Sequence, residues 1–304
     1  MGRAPVTRRP DAPQDPLLSS YRERAPRVRG PLPFPPIIPG VSDAAVRDPW
    51  FTSWFGEEYL ALYPERDDRE AARQAAFAYD LLAPHALGGT VRFLDLACGT
   101  GRHAVALDRD TGGVVGLDPS FPFLLAARRR GSLPAPGYVH GDMRRLPFRN
   151  GIFGAVVNFF TSFGAFDDES DDARVVAEVA RVLGPGGAFL SDVLNAERVV
   201  TSLAAREEKT VSGRRVRIRR RYDPAARRVE KEIAIEDGAE WRVFRECVRL
   251  FTEEELRALH AQAGLRVASA FGDFDGSPFD RRRSPRLLLL AVKEGRASRE
   301  TRAA

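Results

Sequence analysis

At 304 residues, with 43% apolar and 29% charged side chains, the chain can bury one sizeable α/β core with additions and has the balance of a soluble globular protein. Its net charge of +5 is almost wholly arginine, since Lys209, Lys231 and Lys293 are its only lysines, and 42 acids stand against 47 bases, an excess too small and spread to indicate a nucleic-acid partner. The two cysteines, Cys98 and Cys247, are too few for a disulfide framework and fit a reducing, cytoplasmic setting, and no apolar run approaches the roughly 18 residues of a membrane span.

The first 40 positions hold 10 of the 22 prolines, many arginines and three acids, with no helical or strand period. Such a composition buries too little apolar surface to offset the entropy of ordering, so residues 1–45 are expected to be disordered, with a basic recruitment arm as the alternative. They also lack the apolar core of about 7–15 residues that marks a secretory leader. From Asp48 the pattern changes. Trp50, Phe51, Trp54, Phe55, Tyr59, Leu62 and Tyr63 recur at helical spacing, and with Asp48 as N-cap and Pro64 as stop they predict one amphipathic helix. A second helix is expected from about Asp67 to Leu82. Both would pack on the domain, and their aromatic density suits a lid in which Trp54 and Phe55 form an apolar wall.

Phe93-Leu-Asp-Leu-Ala-Cys-Gly-Thr-Gly101 predicts a buried strand ending in a glycine turn, followed by a helix from Arg102. Ala97, Gly99 and Gly101 let the backbone approach a ligand that a Cβ would block, and the helix beyond offers free N–H groups to an anionic part of it. Asp95 lies on the strand itself. Residues 113–119 form a second strand ending in Asp118, about 20 positions on, where a carboxylate would bind ribose hydroxyls. Residues 138–143 form a third strand ending in Asp142, which could accept from an exocyclic amino group such as that of adenine. Three acids at three successive strand ends match one nucleotide-type cofactor lying across the carboxyl edge of a parallel sheet.

A fourth strand ends at Asn158, and a fifth, Gly187–Asn195, is followed by a helix over Ala196–Ala204. Thr210–Tyr222, Arg227–Ile235 and Glu240–Leu250 then read as three strands, with turns at Asp223-Pro224 and Asp237-Gly238. This insertion of about 55 residues is far longer than an ordinary αβ loop. After a helix over Glu253–Ala263, residues 265–274 and 285–293 read as strands. The short, non-helical stretch between them is too brief for a parallel crossover, so the pair is antiparallel.

In this order and spacing the motifs resemble the class I S-adenosylmethionine-dependent methyltransferases, over residues 90–195 by motif and 250–294 by architecture. Asp95-Leu-Ala-Cys-Gly-Thr-Gly101 is similar to that family's first motif, and the resemblance implies S-adenosyl-L-methionine as cofactor. It would be held by Asp95 near the methionine amino group, by Ala97, Gly99, Thr100 and Gly101 at the turn, by Asp118 and Pro119 at the ribose, and by Asp142 and Met143 at the adenine. Asn158-Phe-Phe-Thr-Ser-Phe-Gly164 is similar to the segment that borders both methyl donor and acceptor, and Arg181-Val-Leu-Gly-Pro-Gly-Gly187 to the helix–turn before the fifth strand. The implied fold is a Rossmann-like, doubly wound α/β sheet, mostly parallel with an antiparallel C-terminal strand, plus a small antiparallel β insertion. The implied division is a core with lid helices over 46–195, a flap over 196–250, the end of the core over 251–294 and a disordered tail over 295–304. In similar small-molecule enzymes, including sugar N-methyltransferases and glycine N-methyltransferase, such a flap covers the acceptor or makes a dimer contact, so a homodimer through the insertion is one expectation.

The function this implies is methyl transfer to the N or O atom of a small-molecule acceptor. An RNA methyltransferase using the Arg-rich segments and a non-catalytic cofactor-binding protein stay open as alternatives. Displacement at a sulfonium methyl needs alignment and exclusion of water more than it needs a base. No base declares itself; His103 and His140 flank the cofactor motifs. Thr161 and Ser162 are placed to orient the acceptor, Trp54 to wall it, and Arg217 or Arg219 to pair with an acidic group on it. Asn158 is followed by Phe159-Phe160 rather than by a Pro-Pro-aromatic run, which weakens a nucleic-acid base-amine reading. No metal site is expected.

Overall fold

In the structure, a computed structural model, residues 49–63, 68–85, 92–111, 113–130 and 136–295 are described. The expectations for residues 1–45, for Asp48 as cap and Pro64 as stop, and for the tail beyond Gly295 lie outside these residues.

The strands that read as continuous apolar runs assemble into one seven-stranded sheet. β1 (Phe93–Leu96), β2 (Val114–Asp118), β3 (Gly137–His140), β4 (Phe153–Asn158) and β5 (Leu183–Leu194) run parallel, and β10 (Leu265–Phe271) and β11 (Arg286–Lys293) complete it in the order β10-β11-β5-β4-β1-β2-β3. β11 is the reversed strand, antiparallel to both β10 and β5. The chain builds outward from β1 through β2 to β3, then returns to the other side of β1 for β4. Such a switch in direction opens a crevice at the carboxyl ends of β1 and β4, where open α/β sheets bind ligands.

Helices cover both faces, which is why β1 is buried at all four positions. On one face α3 (Asp68–Leu82) and α4 (Arg102–Thr111) bring Ala75, Ala78, Leu82 and Leu107 against Phe93, Ala155, Val157 and Leu190. On the other, α6 (Glu169–Val182) and α8 (Glu253–Gln262) pack Val175, Val176, Val179 and Leu256 on Leu94, Val156, Phe189 and Leu289. α5 (Phe121–Arg130) follows β2, and α7 (Ala196–Ser202) follows β5. Asp168 caps α6 by accepting from Ser170 N–H, and Thr252 with Glu255 forms a capping box on α8.

Two expectations change. The single aromatic helix is two short ones, α1 (Trp50–Trp54) and α2 (Glu57–Leu62), because Phe55 leaves the helix and Gly56 is extended. The break lets adjacent aromatics face different ways: Trp54 is buried in a core, and Phe55 lies at its edge and lines the cavity. The insertion has four strands rather than three: β6 (Arg206–Val211), β7 (Arg214–Asp223), β8 (Arg228–Asp237) and β9 (Glu240–Arg249), each antiparallel to the next. The stretch expected as one strand folds back at Ser212-Gly213, where both residues have positive φ (49° and 78°) as a two-residue hairpin requires. The inner face of this flap carries Val216, Ile218, Ile233 and Ile235, which share a third core with Trp54 and Leu62. Trp54 Nε1 donates to Glu246 Oε1 at 2.5 Å, and Glu58 pairs with Arg214 and Arg242, so lid and flap are joined.

Candidate functional site

A cavity of about 410 Å³ lies at the carboxyl ends of β1, β2 and β4, roofed by α1 and α2. Its floor begins with the turn after β1, where Ala97, Gly99 and Gly101 all have positive φ. Gly101 does not line the cavity; a Cβ there would sit 2.4 Å from the Tyr138 hydroxyl and 2.9 Å from Ala127 Cβ, so its role is to let α4 start close against α5 and β3. Gly99 N–H donates to Asp118 Oδ2 at 2.8 Å and Ser120 N–H to Oδ1 at 2.7 Å, which aims the carboxylate.

Asp95 is 1% exposed, and its Oδ2 has no hydrogen-bond partner among the described residues. Burial, reinforced by the charge of Asp118, pushes its pKa up to about 7. Burial likewise pushes Asp118 up to about 6, against the opposing N–H bonds of Ser120 and Gly99. A pair of buried carboxyls on one wall, one with an orphaned oxygen, suits a ligand that brings an ammonium group and hydroxyl donors. Asp142 also lines the cavity, but is already engaged. Burial raises its pKa, yet the Arg144 guanidinium and backbone N–H outweigh that and hold it below the usual range. Arg144 continues to Asp171 at 2.7 Å and lies 4.7 Å over the Phe166 ring.

Of the other expected site residues, Ala97, Thr100, Pro119, Met143, Thr161 and Ser162 line the same cavity. Asn158 does not. It is 2% exposed beneath the wall, and its Nδ2 donates to Leu96 O at 2.6 Å, locking β4 to β1. Trp54 does not either; it is fully buried between lid and flap, and Phe55 takes the cavity-facing place beside it. Arg217 and Arg219 lie elsewhere. Val216 and Ile218 face the lid, so alternation sends 217 and 219 to the opposite face of the flap. There Arg217 pairs with Glu208 at 3.5 Å and covers Trp241, and Arg219 pairs with the buried Glu232 at 2.5 Å. His103 is on the wall, stacked on Phe159 with centroids 4.2 Å apart and bonded to Gln74 at 2.8 Å. His140 instead meets Pro119 O at 2.9 Å, outside the wall. Cys98 lines the cavity with its thiol pKa pushed well up by burial, which keeps it protonated. Among the described residues no group of three or more His, Cys, Asp or Glu could hold a metal.

The roof is aromatic. Trp50, Phe55, Tyr59 and Tyr63 form a chain of rings with centroids 5.0–5.4 Å apart. It is pinned to the sheet edge by Trp50 Nε1 to Ala165 O at 3.1 Å and by Ser120 Oγ to Phe55 O at 2.8 Å. The residues not anticipated are Tyr59 and Tyr63 as wall rather than packing, and Asp192 with Arg286, which set the loop after β4. An acid inside the apolar run of β5 was the available signal.

Comparison with known proteins adds three observations. The methyltransferase domain family matches residues 93–187. The chain is 33% identical over 184 residues to the dTDP-3-amino-3,4,6-trideoxy-alpha-D-glucopyranose N,N-dimethyltransferase of Streptomyces venezuelae, covering 57% of this chain and 75% of that one. It is 28% identical over 200 residues to the cypemycin N-terminal methyltransferase of a Streptomyces species, covering 65% and 81%. Among solved structures it matches S-adenosylmethionine-bound CalS10, an amino pentose methyltransferase from Micromonospora echinaspora, with a TM-score of 0.56 at 25% identity over 78% of this chain and 97% of that one.

Proposed function

This chain belongs to the class I S-adenosylmethionine-dependent methyltransferases, and on that premise we propose that it methylates an amine nitrogen of a small-molecule acceptor enclosed between the sheet edge and the aromatic roof. The observation that carries the reading is one cavity with two buried carboxyls at its base and a continuous aromatic wall above. Two relatives support nitrogen over oxygen, one described as an N,N-dimethyltransferase of a dTDP-amino sugar and one as the cypemycin N-terminal methyltransferase.

S-adenosylmethionine, when bound, supplies a methyl group on a sulfonium, already activated for displacement. In this reading Asp95 would receive the ammonium group on its orphaned oxygen, Asp118 would take the ribose hydroxyls, and Asp142 with Met143 would border the base. Gly99 and Thr100 let the backbone approach closely. Trp50, Phe55, Tyr59 and Tyr63 keep water from the space where acceptor and methyl meet, and alignment there does most of the catalytic work. An amine that enters uncharged brings its own lone pair and needs no base. A hydroxyl would need one, and His103 is held flat on Phe159 by its bond to Gln74.

The test is calorimetry with S-adenosylmethionine, followed by incubation of the full chain with small amines, small alcohols and RNA in separate arms and a mass-spectrometric search for products heavier by one methylene unit. Binding and an N-methylated product are expected. Cofactor binding with no product on amines, alcohols or RNA would favour a non-catalytic protein. A product on RNA alone would overturn the small-molecule reading.

A further inference from the structure

Two consecutive non-glycine residues on the cavity wall, Phe160 and Thr161, have left-handed backbone, with φ of 57° and 60°. Side chains beyond glycine rarely adopt this conformation, and where they do the surroundings must hold them there. Here the holder is Asp192 of β5, which is fully buried. Phe160 N–H donates to its Oδ2 at 2.8 Å, and Thr161 N–H donates to its backbone carbonyl at 3.1 Å. Arg286, the first residue of β11, completes the frame: its Nε donates to Asp192 Oδ1 at 2.6 Å and its Nη2 to Thr161 Oγ1 at 2.7 Å. The pairing of β11 with β5 places these two residues together, with Arg286 opposite Leu194 and Asp192 opposite Leu288.

The consequence for Thr161 is chemical. A guanidinium only donates, so Arg286 occupies a lone pair of the hydroxyl oxygen and cannot receive its hydrogen. Among the described residues that hydrogen meets no acceptor, and the side chain lines the cavity. The cationic donor also polarises the hydroxyl and makes it a stronger donor. A fixed, polarised O–H on a wall otherwise rich in rings recognises an oxygen or other lone-pair atom of whatever lies against it. Since Thr161 follows β4, at the crevice between the β1 and β4 ends, that atom would be close to the methyl-accepting nitrogen.

We propose that Thr161 is a specificity-determining donor for acceptors that carry an oxygen near the methylated nitrogen, amino alcohols or amino carbonyl compounds, and that Asp192 and Arg286 are positioning residues that aim it. This rests on the small-molecule reading above. The buried acid and the arginine fork hold the strained pair so that the Thr161 hydroxyl lines the cavity, whereas Asp118 is held by the N–H groups of Gly99 and Ser120.

The test uses the full chain loaded with S-adenosylhomocysteine and two matched probes, trans-2-aminocyclohexanol and cyclohexylamine, read by ligand-observed NMR. Wild type should bind the amino alcohol more tightly by roughly three- to tenfold, the span of one neutral hydrogen bond. Thr161→Val should abolish the difference, Thr161→Ser should restore it, and Arg286→Lys should reduce it, because one ammonium cannot serve both Asp192 and Thr161 in the fork geometry. S-adenosylhomocysteine affinity should be unchanged in the Thr161 variants. Equal binding of the two probes by wild type, binding of neither, or a preference that persists in Thr161→Val overturns the proposal. So does a loss of S-adenosylhomocysteine binding in Thr161→Val, which would put the hydroxyl on the cofactor. If wild type does not bind S-adenosylhomocysteine, the methyltransferase reading itself fails and this one falls with it.

Discussion

The carboxyls of Asp95 and Asp118 hold their protons to about pH 7 and about pH 6 because the fold buries them side by side. Their folded values lie above the ordinary aspartate value of 3.8. Whatever stability they lend is therefore full below the unfolded pKa and is lost as pH rises through about 6 to 7, the reverse of a salt-bridged carboxylate. A cofactor bearing an ammonium and a sulfonium needs the ionised forms. Its affinity should rise between about pH 5 and pH 8, with proton release visible as a buffer-dependent heat in calorimetry; an affinity flat across that range would count against both assignments. Asp118→Ala should weaken cofactor binding by on the order of 1.5–3 kcal/mol, since it removes a charge-assisted bond and strands the N–H groups of Gly99 and Ser120. These acids were legible in the sequence because a glycine turn and a strand end fix where an aspartate must point. Asp192 and Arg286 were not, because their meeting depends on β11 lying beside β5, nearly a hundred residues apart in the chain.

At the scale of elements, the arginines of β7 teach a different lesson. Strand alternation was visible in Arg-Val-Arg-Ile-Arg, but which face would meet the lid was not. It was settled by Val216 and Ile218 joining Trp54, which leaves Arg217 and Arg219 on the far side. Changing both arginines to Ala should leave acceptor KM and cofactor affinity unaltered. It should lower stability by about 1–3 kcal/mol in chemical denaturation, because Glu232, with a side chain 3% exposed, loses a partner while Arg245 stands opposite it on β9. A raised KM would restore the idea of an anionic-substrate clamp. The loop after β4 is equally specific. Gly164 has φ +87°, and a Cβ there would lie 2.8 Å from the Arg249 carbonyl oxygen. Gly164 N–H donates to Asp172 Oδ1 and its carbonyl accepts from Arg249 N–H, so the root of the flap is tied to the loop that carries the cavity-lining Ser162 and Ala165. Gly164→Ala should cost roughly 1–3 kcal/mol and lower the melting temperature by several degrees. The fourth flap strand escaped the sequence pattern because β6 is polar up to its last residue, Val211, and only the Ser-Gly turn after it marks the fold-back.

Across the whole molecule, the mostly parallel sheet with a reversed last strand followed from the motif order and from the short connection before β11, whereas the coupling of lid to flap did not, since the residues involved are more than 150 positions apart. That coupling makes a testable statement about motion. If the roof closes on the ligands as one body, S-adenosylhomocysteine should slow amide hydrogen exchange in α1, α2 and the facing strands β7 and β8 together, while the distant pair β10 and β11 changes little. Protection confined to α1 and α2 would show that the lid moves over a stationary flap.

The third core also bears on how such a chain can change its taste for substrates. The roof, 50–63, and the flap that backs it, 206–249, complete each other: Trp54 and Leu62 from the first fill the sheet of the second, and Glu58 answers Arg214 and Arg242. A flap imported alone from a relative would arrive without its matching indole and carboxylate, and would present an unfilled apolar face to the old lid. The unit that must be inherited together for the roof to keep its shape is then a discontinuous pair of segments. A chimera that exchanges both should fold, where either single exchange leaves half of a core behind.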